Sequence, residues 1–408
     1  MRRLRILHYA PHFLPSLGGT EVNTYMFAKH SRHMHFVLTD LLPGTPRFEE
    51  MEGIQVYRVG PPRGIIQEGK INLVEYLAGV VREVNKAIKY QDIDFDIMHL
   101  HGSYGFPILF DELDRLLGRT VFKRFLGWRL CKKPILITLH STPSHDFPMR
   151  EPYFSEPFPS LKIRNSWVGL ERIYRAEAKI IVCVDRYMAT LLNSFPGDAK
   201  VFYIASGIDT ELFKPMEKGQ AVKLLSEKAR AKIEKYLDDF LVLYIGRFDF
   251  SKGTQYLEAF AKTLPADIKL VIAGDGDSNL LGHSDDMIQI GRVENQHVPA
   301  LNNSCDAIFN PVLFIGTSRV TFEGMACGKP VVMFNSGDRY PLIHGKNGFA
   351  VSDIREAAEV IAQLRDNSEL YGRISIEALR TAQENSVQNL SRRVDELYEE
   401  IVAAREGP

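Results

Sequence analysis

A chain of 408 residues has material for two or three domains, and its 45% hydrophobic and 25% charged residues are those of an ordinary globular protein, which excludes disorder as its main state. The formal net charge of −1 excludes a global basic field directed at nucleic acid. That charge is unevenly divided. Residues 1–206 carry 27 Lys and Arg against 21 Asp and Glu (+6), so from totals of 50 and 51 the remainder carries 23 against 30 (−7).

The four cysteines, Cys131, Cys183, Cys305 and Cys327, are widely spaced with no CxxC pair, which predicts neither a disulfide framework nor a zinc site and fits a reducing compartment. The apolar run in MRRLRILHYAPHF is too short for a signal-peptide core, and no stretch approaches the ~20 apolar residues of a membrane span. The expected location is cytoplasmic, with contact to the inner face of a membrane left open.

Short apolar runs alternate with helical spacing, the pattern of parallel α/β architecture. Strands are predicted at Leu4–Tyr9, His35–Leu38, Ile97–Leu100, Pro134–Leu139 and Lys179–Cys183, with helical spacing at Val22–His30 and Leu73–Lys89. Residues 214–239 are mostly charged or small and read as a solvated helix after a linker. A second series follows at Phe240–Ile245, Ile268–Ala273, Met287–Ile290, Ala307–Phe309 and Pro330–Phe334. From Asp353 the tail is helical, with Leu379, Leu390, Val394, Leu397 and Ile401 at helical spacing. Two doubly wound domains are expected, 1–208 with the tail 385–408, and 209–384.

In open α/β sheets ligands sit beyond the C-terminal ends of strands, so the loops there are the candidate sites. Gly18-Gly19-Thr20-Glu21 follows the first strand and opens a helix, where glycines allow close backbone approach and orphan N–H groups can receive an anion. A plain flexible turn explains it equally. Gly246 to Gly253 follows a strong strand and holds Arg247 and Lys252, two cations able to straddle a diphosphate; solvated surface charge is the bland alternative. The stretch is neither a GxxxxGK[ST] loop nor a GxGxxG loop. Gly316, Thr317, Ser318 and Arg319 look like a helix start after a strand, with Thr317 and Ser318 as caps and Glu323 about one turn inside, where a carboxylate can accept from sugar hydroxyls. Simple capping would produce the same residues.

Between Arg115 and Lys133 lie seven basic residues and no acidic one, interleaved with Phe122, Phe125, Trp128 and aliphatic residues. Such a segment can lie in an anionic membrane interface, or it can pack its apolar face on the first domain.

The ordered set PHFLPSLGGTE (11–21), ITLHS (137–141), VDRYMATLL (184–192), SGIDTELFKP (206–215), YIGRFDFSKG (244–253), VIAGDGD (271–277) and FEGMACGKPVV (322–332) resembles the retaining glycosyltransferases of the GT-B fold, family-4 type, glycosyltransferase group 1. The resemblance implies two Rossmann-like domains facing a cleft, with the C-terminal helix returning to the first. It implies transfer of a sugar, with retention, from a UDP- or GDP-sugar to a hydroxyl of a glycan or lipid-linked acceptor. Closure of the domains would exclude water, and the departing phosphate would help to deprotonate the acceptor. In that frame Arg247 and Lys252 hold the donor pyrophosphate, Glu323 binds the ribose, and Gly316 to Arg319 form the helix start that receives phosphate. His140 sits near the donor sugar, with His101 a weaker candidate, and Gly18 and Gly19 form the loop facing phosphate or acceptor. No metal or other cofactor is expected, since the cations neutralise the leaving group and no DxD-type site is present. The pattern departs at Ile315, where the family's sugar-binding glutamate would stand, and at Ser206, where an Asn is usual. Ile315 leaves open a catalytically weak nucleotide-binding accessory subunit, and a GT-B sugar-nucleotide epimerase is a separate alternative.

Overall fold

The computed structural model describes residues 2–16, 18–59, 93–102, 133–140, 171, 174–176, 178–313, 318–336 and 339–406. These divide into two compact units, one holding the chain up to Ser206 plus Val387 onward, the other Gly207–Ser386.

The first unit is built on strands β1 (Arg5–Tyr9), β2 (Met34–Asp40), β3 (Phe48–Met51), β4 (Ile54–Val59), β5 (Ile97–His101), β6 (Ile135–Leu139), β7 (Ile180–Cys183) and β8 (Lys200–Tyr203). Their order across the sheet is β3-β4-β2-β1-β5-β6-β7-β8, all parallel except the β3–β4 hairpin. That hairpin turns on Glu52 and Gly53, both at positive φ (48° and 83°), the backbone a two-residue turn needs to match strand twist. One sheet face carries Leu7, Phe36, Leu38, Leu100, Ile137 and Ile181. The opposite face carries Leu4, Ile6, Ile97, Leu136 and Ile180, against which helix α1 (Gly19–His30) packs Phe27. The C-terminal helix, Val387–Glu406, covers the same face with Leu390, Val394, Leu397, Tyr398 and Ile401.

The second unit contains β9 (Phe240–Ile245), β10 (Ile268–Ala273), β11 (Met287–Gly291), β12 (Ala307–Asn310), β13 (Val331–Phe334) and β14 (Phe349–Val351) in the order β11-β10-β9-β12-β13-β14, all parallel. β9 and β12 are buried on both faces, as parallel strands covered by helices must be, and they read as nearly continuous apolar runs. The solvated helix expected over 214–239 is in fact two short helices, Lys218–Lys223 and Glu227–Ile233. Glu217 and Ser226 each cap one of them, and Ala221, Val222, Leu225, Ala229 and Ile233 are buried. Two caps inside one charged stretch stop a single helix from propagating. The helix expected at 73–89 lies outside the described residues.

Candidate functional site

In both sheets the direction of winding reverses at one point. In the second it lies between β9 and β12, since β10 and β11 add to one side and β13 and β14 to the other. A crevice opens at such a reversal, because the loops leaving the two strands diverge. Both candidate loops of the second unit emerge there.

The loop after β9 is held open by hydroxyls buried beneath it. Tyr244 donates through Oη to the Arg247 carbonyl at 3.0 Å and lies 3.0 Å from Thr254 Oγ1. Thr254 Oγ1 receives the Asp249 amide at 3.1 Å. Asp249 in turn takes the Lys252 amide on its carboxylate, capping a single 3-10 turn over Phe250–Lys252 that ends on Gly253 at φ 72°. Arg247 is 77% exposed, with Asp249 Oδ2 4.0 Å from its guanidinium, and Lys252 is half-buried. The β10 loop closes in from one side. The Phe248 amide donates to Asp275 O at 2.7 Å and the Asp277 amide to Phe248 O at 3.0 Å, while a Cβ on Gly274 would stand 1.8 Å from Gly246 O. Only glycine fits at that crossing.

From the other side comes the chain leaving β12. Leu313 donates its amide to Ser251 O at 3.1 Å, which ties the two loops together. Helix α2 (Arg319–Ala326) then begins with Ser318 in the N-cap position. The Ser318 hydroxyl makes no capping bond, contrary to the capping role expected of it. It accepts from Asn310 Nδ2 at 2.9 Å, and Asn310 also reaches Thr321 Oγ1 at 3.1 Å, so the last residue of β12 braces the first turn from below. Arg319 Nη2 donates to Glu323 Oε1 at 3.3 Å. Glu323 is 8% exposed; burial pushes its carboxyl above the ordinary range, and the Arg319 guanidinium opposes this in part. Gly316 and Thr317, like Ile315, lie outside the described residues.

In the first unit, Gly18 is the N-cap of α1 at φ −148° and Gly19 its first residue. A Cβ on Gly18 would stand 2.3 Å from the Glu21 carboxylate, so a side chain there would have to move that carboxylate aside. His140 follows β6 directly, is half-buried, and has no hydrogen-bond partner at Nε2 among the described residues. Desolvation pushes its pKa down to about 4, which keeps the imidazole neutral at neutral pH. His101 closes β5 and is fully buried. The basic segment from 115 is outside the described residues up to Lys133, which pairs with Asp94 at 3.6 Å. Among the described residues Cys183, Cys305 and Cys327 are free and buried, and no helix is long and apolar enough to cross a membrane.

Two family models match the chain in succession, Glycosyltransferase Family 4 over residues 17–212 and Glycosyl transferases group 1 over residues 239–367. The chain belongs to the glycosyltransferases. A relative from Methanocaldococcus jannaschii, named an uncharacterized glycosyltransferase, is 24% identical over 325 residues, 75% of this chain and 73% of that protein. The fold is that of GT-B enzymes. The sucrose-phosphate synthase of Thermosynechococcus elongatus superposes with a TM-score of 0.73 at 18% identity, over 98% of this chain and 100% of that one. Anabaena HepE, solved in complex with UDP and glucose, gives 0.69 at 18% identity, over 97% of this chain and 100% of that one.

Sequence reasoning singled out Arg247, Lys252 and Glu323 as candidates but not the groups that hold their loops in place. Tyr244, Thr254 and Asn310 carry no motif; their positions at or just beyond strand ends were the available signal.

Proposed function

We propose that this glycosyltransferase moves a glycosyl group, with retention, from a nucleoside diphosphate sugar to a hydroxyl of a glycan or lipid-linked acceptor. The observation that carries the donor half is the convergence, at the reversal between β9 and β12, of a loop bearing Arg247 and Lys252 with a helix start bearing Ser318, Arg319 and Glu323. Two cations from one loop suit a diphosphate, and the amides of a helix start add partial positive charge on the same anion. Glu323 then accepts from ribose hydroxyls, with Arg319 turning from it to the phosphates. Charge developing on the leaving diphosphate is met by groups already in place, so this reading needs no divalent ion at the donor site. The complex of HepE with UDP and glucose supports a donor of this class.

Calorimetric titration with UDP and with GDP, alongside turnover of a panel of their sugars, tests the reading, with Lys252→Ala as the control. We expect one nucleotide to bind, the variant to lose that binding and its turnover by orders of magnitude, and the matching diphosphate to be released in the presence of acceptor. Near-normal turnover by the variant would remove Lys252 from the mechanism. Binding without release for any acceptor would favour a nucleotide-binding accessory role.

A further inference from the structure

The first unit holds a row of buried histidines that the donor reading does not use. His8 on β1 and His99 on β5 are register partners on the sheet face covered by α1 and the C-terminal helix; His101 lies two residues further along β5, and His35 comes from β2. All four are buried, His8 and His99 completely. His35 Nδ1 lies 2.6 Å from His8 Nε2, and His8 Nδ1 lies 2.8 Å from His101 Nε2. His99 stacks on His101 with ring centroids 4.0 Å apart, and it has Tyr398 Oη 2.5 Å from Nδ1 and Thr138 Oγ1 2.7 Å from Nε2.

The row holds neutral rings and has no place for charged ones. Two hydrogen bonds join His35, His8 and His101, so of the three protons on neutral rings two are shared and the third lies on an end nitrogen, His35 Nε2 or His101 Nδ1. Neither end atom has a partner among the described residues. A further proton must go to the other end, where its N–H is buried and unpaired, or break one of the two bonds. A charge on His99 would meet only hydroxyls and would lie against the His101 ring. The groups that act on the row are positive or become so on protonation: His33 and Arg3 beside His35, and His140 beside His99 and His101. The carboxylates of the C-terminal helix, Asp395 and Glu399, face His33 instead, 4.0 and 3.8 Å from its Nε2. The one acid among the buried residues of α1, Glu21, lies against Gly18. Burial pushes the Tyr398 hydroxyl up, so it stays uncharged. Desolvation pushes His8 down to about 3 and holds His35, His99 and His101 well below the ordinary histidine value.

We propose that this row is an acid-sensitive latch: on acidification it takes up protons only by opening, and opening frees the C-terminal helix from the first sheet. Rings exposed by opening are protonated below pH ~6.5, the ordinary histidine value, while the buried rings are not. A base whose folded pKa lies below its unfolded one loses stability as pH falls through the unfolded value. Each histidine of the row therefore favours the open state by up to about tenfold per pH unit below that point. The bond from Tyr398 to His99 carries the effect to the helix, whose Leu390, Val394, Leu397 and Ile401 cover the same face. At neutral pH the latch is closed. It takes no part in donor chemistry, so the proposal stands independently of the donor reading.

Hydrogen exchange of the full-length chain, corrected for intrinsic rates, is followed in the C-terminal helix and in β1 across this pH range. We expect their opening constant to rise at least about a hundredfold between pH 7 and pH 5.5, the result of several protons taken up together. His35→Asn and His101→Gln keep a polar group facing His8 without a titrating ring, and each should make that rise about five- to tenfold smaller. The wild-type chain with isotope-labelled histidine tests the row without any substitution. In the folded protein at pH 6 the nuclear magnetic resonance signals of the row should be those of neutral imidazole, while a histidine-containing peptide in the same sample is mostly protonated. A smaller rise in the wild-type opening constant, an undiminished rise in both folded variants, or row signals that titrate together with the peptide would each overturn the proposal.

Discussion

With the ribose role proposed for it, Glu323 would be costly to the free protein and useful to the bound one. It is a buried carboxylate one turn into α2, and Arg319, its charged neighbour among the described residues, offsets only part of the desolvation. A carboxyl whose folded pKa is raised adds stability below its unfolded pKa and loses that contribution as pH rises through the folded one. The ionised form of Glu323 is therefore a net cost to the free protein. Glu323→Gln is expected to leave the protein at least as stable at pH 7, by urea denaturation, while weakening nucleotide binding at least tenfold by calorimetry. The pH profile gives the sign independently. Wild-type affinity should fall as pH drops through a value above the usual carboxylate range, and the Gln variant should show no such step. A Gln variant that binds as tightly as wild type would remove the ribose role.

At the scale of elements, the candidate donor site is a consequence of strand order. β9 and β12 are adjacent, so the loops leaving them must share one edge of the sheet, and they do so tightly enough to exclude a side chain. Gly253 sits at φ 72°, and a Cβ on it would stand 2.0 Å from the Pro311 carbonyl oxygen. Left-handed backbone costs an alanine roughly 1–2 kcal/mol before that clash is counted. Gly253→Ala is expected to destabilise the second unit by ~2 kcal/mol or more and to displace the turn that presents Lys252, with nucleotide affinity reduced even where the unit remains folded. Thermal unfolding together with calorimetry at a temperature well below the transition separates the two effects. Unchanged stability would mean that the loops part more easily than this packing allows.

At the scale of the whole molecule, the last helix belongs to the unit where the chain began. Val394 is 2% exposed, packed with Leu390, Leu397 and Tyr398 against Leu4, Ile6 and Ile97 of the first sheet. The second unit has its own core around Leu257, Phe260, Phe309 and Ile361. Val394→Asp places an unpaired charge in the first core, at a cost of about 3 kcal/mol or more. Differential scanning calorimetry should show the first unit's transition move down or vanish, while the transition that nucleotide shifts upward stays in place. A matched fall in both transitions would show that the two units unfold as one.

The sequence by itself determined the α/β class and most strands, because a parallel strand covered on both faces must be a short apolar run, as FLVLYI and IKLVIA are. It also singled out Arg247 and Lys252 as candidates, since charged residues just beyond such a run fall on the ligand edge of a parallel sheet, and Glu323 as a candidate one turn into the helix after β12. It did not reveal β3, β8 or β14, which are short or, like FEEM and KVFY, only partly buried, nor β4, whose run IQVYRV is broken by Gln55 and Arg58; each leaves a weak pattern. Tertiary structure alone decided that Asn310, and not a capping serine, braces α2, and that Tyr244 and Thr254 shape the loop before Lys252. It alone brought His8, His35, His99 and His101 together, although each sits unremarkably in its own strand. The physical reason is common to these cases. A strand's apolar pattern is local and survives in the sequence, whereas a hydrogen bond between side chains 93 residues apart, as between His8 and His101, exists only once strand order is fixed.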